Sequence, residues 1–200
     1  PGKAFTSVTY SNLYFREPES RADQTRMMSI VTTGAETGYY VDVFRSRKEK
    51  GGDKMHDYFY HNLGQTLTLT AADGSDLNLQ PTEELSFAGA HLYAYSYLYD
   101  KKVAATDKDV KATFTIDMKD KDGDDIYMNL WMKGEPDREI FTALAPMTEG
   151  LSRTPNMPYN VKEQPTLTFV ARQHGEAWNR PFVSIYEPST KKEPSAIQSV

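Results

Sequence analysis

The side chains of this sequence that could do chemistry are four histidines, a carboxylate set in an aromatic stretch, a basic cluster and a row of tyrosines. Asp42 lies between Tyr39-Tyr40-Val41 and Val43-Phe44. A carboxylate buried there needs a partner, an arginine for example, unless that side of the strand faces solvent. His56 and His61 are five apart in Met55–Asn62. Strand alternation puts His61 with Asp57 and Phe59 on one face, and His56 with Tyr58 and Tyr60 on the other. Without a bulge the two imidazoles cannot meet at one metal. Arg45, Arg47, Lys48, Lys50 and Lys54 form the dense basic cluster, where a uronate or sulfate could dock. The plainer reading is a solvated hairpin tip. His91, Tyr93, Tyr95, Tyr97 and Tyr99 alternate with Leu92, Ala94, Ser96 and Leu98. A strand there would present an aromatic face to a sugar ring or to a facing sheet. Asp120, Asp122 and Asp124 have the spacing of a calcium loop, but its glycine is out of register and no closing glutamate follows. Turn chemistry explains them better.

Strands must position these groups. No amphipathic helix is visible, and period-two alternation recurs. The expected strands are Thr6–Phe15, Thr25–Thr32, Tyr39–Arg47, Met55–Asn62, Gln65–Thr70, His91–Asp100, Asp109–Met118, Asp125–Lys133, Arg138–Ala143, Thr166–Arg172 and Pro181–Glu187. Met147–Gln164, with Pro155 and Pro158, reads as a long loop. The fold class expected is all-β: one two-sheet antiparallel β-sandwich over residues 1–200, of roughly a dozen strands and no substantial helix.

Composition bounds the function. There is no cysteine, which excludes disulfides, cysteine–zinc sites and cysteine nucleophiles. The net charge of −5 argues against nucleic acid as a partner. No apolar run reaches membrane-spanning length. Pro1-Gly2-Lys3 reads as the start of a trimmed chain without a signal peptide.

Two stretches carry a family resemblance. The first is Tyr39-Tyr40-Val41-Asp42-Val43-Phe44-Arg45, then Gly51-Gly52, then His56-Asp57-Tyr58-Phe59-Tyr60-His61. The second is Arg172–Trp178 with Pro181-Phe182-Val183-Ser184-Ile185-Tyr186-Glu187-Pro188. Together they resemble the C-terminal β-sheet domain of heparinase II/III-like polysaccharide lyases. That resemblance implies β-elimination at a uronate of a heparin/heparan- or alginate-like polysaccharide. It also implies an N-terminal helical toroid, absent from this chain, as partner domain, and a periplasmic or secreted location. By the same resemblance Asp42 and His61 would be metal ligands, for zinc; the third ligand is not identified, with His56, His91 and His174 as the places to look. His56 and Tyr58 would be catalytic, and Arg45, Arg47, Tyr95 and Tyr97 would bind substrate. The sequence departs from the family in having no histidine upstream of Asp42 and no tyrosine in the hairpin between the Asp and His strands. The isolated domain is then expected to be inactive. A carbohydrate-binding module or a purely structural domain is the alternative.

Overall fold

The computed structural model describes residues 6–86, 90–118, 124–148 and 163–200, with the backbone alone at 90–92. Most of the expected Met147–Gln164 loop lies outside the described residues, as do Asp120 and Asp122. Among the described residues there are twelve strands and one 3₁₀ segment, η1 (Ala90–Tyr97). One sheet runs in the order β1 (Val8–Arg16), β2 (Ala22–Thr32), β3 (Gly38–Lys48), β12 (Ala177–Thr190), β9 (Ile126–Met132), β8 (Val110–Ile116), β5 (Thr66–Ala71). The other runs β4 (Met55–Asn62), β11 (Thr166–His174), β10 (Arg138–Ala145), β7 (Tyr99–Ala105), β6 (Gln80–Pro81). The strand pairings are antiparallel. The expected all-β, two-sheet architecture is what the chain adopts.

Alternation explains the core. In β8, Val110, Ala112 and Phe114 are buried and the residues between them are half-exposed. Register places Phe114 opposite Met128, and Ala112 opposite Leu130, on the same inner face. From the other sheet Tyr58, Ile140, Leu167, Phe169 and Ala171 meet them. Each such fully buried large apolar side chain is worth about 1.5–3 kcal/mol.

The sheets are unequal, seven strands against five. The smaller sheet ends at β4, whereas β1 and β2 project past it. That overhang explains why β1 is exposed along most of its length, with Tyr10, Leu13, Tyr14 and Phe15 in solvent.

The expected strand His91–Asp100 is corrected. The chain there is η1, and the strand begins only at Tyr99. A 3₁₀ segment repeats every three residues, so Tyr95 and Leu98 turn to one side. Both pack on the cluster of Leu85, Phe141 and Val170. Tyr93 and Tyr97 point outward, so the tyrosines form no single-faced row. The last strand is also longer than expected, fourteen residues instead of seven. Pro188 is tolerated because β3 stops pairing with β12 at Tyr186, leaving no ladder partner on that side.

Candidate functional site

The inner faces of β2, β3, β4 and β12 bring a polar chain into the sandwich. Asp42 is fully buried, and Arg26 of the neighbouring β2 clamps it: Nε donates to both carboxylate oxygens at 3.1 and 3.0 Å, and Nη2 donates at 2.5 Å. The Tyr58 hydroxyl donates to Asp42 Oδ2 at 2.7 Å. Since its one proton is used there, the adjoining Tyr186 hydroxyl must donate to the Tyr58 oxygen. Ser184 in turn donates to Tyr186 at 3.3 Å. Burial, followed by the proximity of Tyr186 and the Asp42 carboxylate, raises the Tyr58 pKa far above its ordinary value. Tyr186 is raised for the same first reason, burial. Both phenols stay protonated. Arg26 is the member of this network that reaches solvent, with its side chain 44% exposed.

Beside this network a cleft of about 420 Å³ opens where the ends of β2 and β3 face the start of β4. Its wall carries His56, Asp53, Lys48, Lys54, Gln24 and Ser46, and its far side reaches Asp57, Tyr95 and Arg172. Gly51 and Gly52, both at positive φ, reverse the chain between β3 and β4 and bring Asp53 back under His56. His56 Nε2 lies 2.7 Å from Asp53 Oδ1. Asp53 also accepts from the Lys48 N–H at 2.6 Å. Burial alone would push the Asp53 carboxyl up; these two hydrogen bonds outweigh it and hold the pKa below the usual value. A carboxylate accepting from Nε2–H leaves the imidazole lone pair on Nδ1, the tautomer suited to taking a proton.

The opposite face of β4 carries a second set. Arg172 donates to Asp57 through Nε at 2.8 Å and Nη2 at 2.9 Å, and through Nη1 to Glu84 at 3.1 Å. Tyr95 donates to Asp57 Oδ2 at 2.7 Å and sets its ring edge-on to Phe59. These bonds fasten η1 to the smaller sheet. Burial raises the Tyr95 pKa well beyond its ordinary range. His61 shares this face, with Nδ1 2.9 Å from the Thr168 hydroxyl and its ring stacked on Phe59. Burial lowers the His61 pKa. A pocket of about 450 Å³ lies here, lined by Phe59, His61, Tyr95, Tyr97 and Leu98 among others.

The expected site residues are therefore distributed over three surfaces. His56 stands on the cleft wall. Tyr58 lies behind that wall, its hydroxyl proton engaged in the hydrogen bond to Asp42. Asp42 and His61 address opposite faces of β4, and the Asp42 carboxylate is filled by Arg26 and Tyr58, so the pair does not fit one zinc ion. Among the described residues no group of three or more histidine, aspartate or glutamate side chains could hold a metal. His174 pairs with Glu139 on the surface. The basic cluster is split: Lys48 and Lys54 line the cleft, whereas Arg45 and Arg47 lie on the outer face of β3 against Trp178. Sequence reasoning missed Arg26, Asp53 and Arg172. Asp53 sits three residues before His56 and was visible as a neighbour; the two arginines needed the strand register.

No protein-family model matches the chain. The chain is 33% identical over 195 residues to part of an endo-acting ulvan lyase of Formosa agariphila. The match covers 96% of this chain and 22% of that protein, so the chain spans about a fifth of the length of the curated relative it matches. What this chain resembles over nearly its whole length is a segment of a polysaccharide lyase.

Proposed function

We propose that this chain is a module of a polysaccharide lyase that opens an acidic, uronate-bearing polysaccharide by β-elimination, with the His56 cleft as its working face. The similarity to an ulvan lyase across 96% of the chain carries this reading. The cleft supports it with an oriented imidazole and with Lys48 and Lys54 among its lining residues.

In the proposed reaction His56 removes the proton from the carbon that bears the carboxylate. The C–H electron pair becomes a double bond to the next carbon, and that carbon's bond to the glycosidic oxygen breaks. The imidazolium then gives its proton to the departing oxygen. Asp53 holds the ring and stabilises its charged form. Lys48 and Lys54 offset the charge gathering on the substrate carboxylate. Tyr58 acts at one remove, by fixing the β4 wall through Asp42. The finer kinship with heparinase II/III-like enzymes, and with it a helical toroid partner and an extracellular or periplasmic place of work, rests on the residue 39–61 and 172–188 stretches. No helix of the described residues is long and apolar enough to cross a membrane.

A second reading, a carbohydrate-binding module, is favoured by Tyr97, which is 59% exposed at the edge of the Phe59–His61 pocket. Incubation with ulvan separates the two: the proposed base and the lysines of the cleft all lie within this chain, so the chain is proposed to act alone, unlike the inactive isolated domain that the resemblance leads one to expect. Elimination predicts an ultraviolet-absorbing unsaturated product, lost in His56→Gln. Retention of the polymer without any product would sink the lyase reading and leave the binding one.

A further inference from the structure

The outer face of the larger sheet divides into a covered and an open half. Over β9 and β12 the C-terminal residues lie across it: the Ala196 N–H donates to Glu187 Oε1 at 2.9 Å, and Lys133 Nζ reaches the Val200 carbonyl at 3.5 Å. Trp131 beneath them is buried. Over β1 the face is exposed, and over β3 it meets Trp178. Register fixes what stands there. Tyr14, Thr25 and Arg45 form one row across the three strands, and Arg16, Asp23 and Arg47 form the next. Tyr10 stands four residues from Tyr14 on the same side of β1, about 14 Å away.

The side chains in these rows are held for contact. The Arg47 guanidinium lies 4.2 Å over the Trp178 ring, and Arg45 donates to the Trp178 carbonyl. Asp23 is taken up by Arg16 and by the Tyr14 hydroxyl. Tyr10 and Tyr14 are 73% and 61% exposed. Flat aromatic faces take the C–H faces of sugar rings. Guanidinium groups take carboxylate or sulfate bidentately.

We infer that the outer face of β1–β3 is a second, non-catalytic binding surface for an acidic polysaccharide, with Tyr10 and Tyr14 as sugar platforms and Arg45 and Arg47 as anion anchors. The occupant is named by charge complementarity: stacked arginines beside bare tyrosines suit a polymer that carries both rings and anions. The choice of polymer rests on the lyase reading, but the surface does not use the cleft. It would hold a long chain on the molecule between cleavage events, so that successive cuts fall on the same polymer.

Affinity electrophoresis of the whole chain in gels containing ulvan, or a neutral glucan, tests this, with product absorbance read in parallel. The variant is Tyr10→Ala/Arg47→Gln, at two exposed positions whose loss leaves the core intact. Retention by ulvan is expected to weaken about tenfold in the double variant. Added salt should weaken wild-type retention as well. Undiminished retention of the variant, or equal retention of the wild type by the neutral glucan, would overturn the inference whatever the absorbance shows. Retention that the variant loses, with no product from either protein, would support the surface while sinking the lyase reading.

Discussion

At the scale of single residues, Asp42 and Arg26 show how burial ranks the two halves of one ion pair. Asp42 has no access to water, while Arg26 keeps its side chain 44% exposed. Removing the arginine strands a carboxylate in the core; removing the aspartate leaves a guanidinium that water can still solvate. Arg26→Met is therefore expected to lower unfolding stability by about 3–5 kcal/mol. Asp42→Asn should cost clearly less, and denaturant titration of the two variants reads the order directly. That Asp42 needs a partner is legible in the sequence. Which partner is not, because Arg26 lies sixteen positions away and is delivered only by the β2–β3 register. His61 gives a pH signature. Burial depresses its folded pKa, so as pH falls the unfolded chain takes up the proton first. The stability contribution is present above the unfolded value of ~6.5 and is lost as pH drops through the lower folded value. Unfolding midpoints measured across that window should fall with acid, and less so in His61→Gln. An unchanged slope in the variant would show that other groups set the dependence.

At the scale of elements, strands whose alternation is set by one buried face were readable, and η1 was not. Its tyrosines alternate as in a strand, yet Ala94 and Ser96 between them are too small to fill a second sheet face. The chain instead tightens so that Tyr95 and Leu98 enter the core together. The Tyr95 hydroxyl on Asp57 is what fastens it. Tyr95→Phe removes a hydrogen bond to a charged acceptor, worth about 1.5–3 kcal/mol. Faster amide exchange and proteolysis confined to residues 93–98 are the expected result, and uniform destabilisation of both sheets would contradict it. The full length of β12 was equally hidden, because its prolines read as ends. They are tolerated where one neighbour has left the ladder and near the register shift between Ala177 and Phe182.

At the scale of the whole molecule, the proposed site follows from the mismatch between seven strands and five. If the sheets matched, β4 would be covered and His56 would lie in a sealed core. Because β1 and β2 extend past β4, the cleft opens at its edge and β1 stays bare. None of this was legible in the sequence. Alternation names strands but not neighbours, and β12 enters between β3 and β9 across more than a hundred residues. The absence of cysteine, by contrast, already excluded thiol chemistry. The cleft is the central claim, and the product absorbance of wild-type chain and His56→Gln on ulvan tests it most directly. Steady formation of unsaturated product by the wild type, lowered about 10²–10⁴-fold in the variant, is the result expected of an imidazole acting as base and acid. Equal rates in the two proteins would contradict it and move the chemistry away from this cleft.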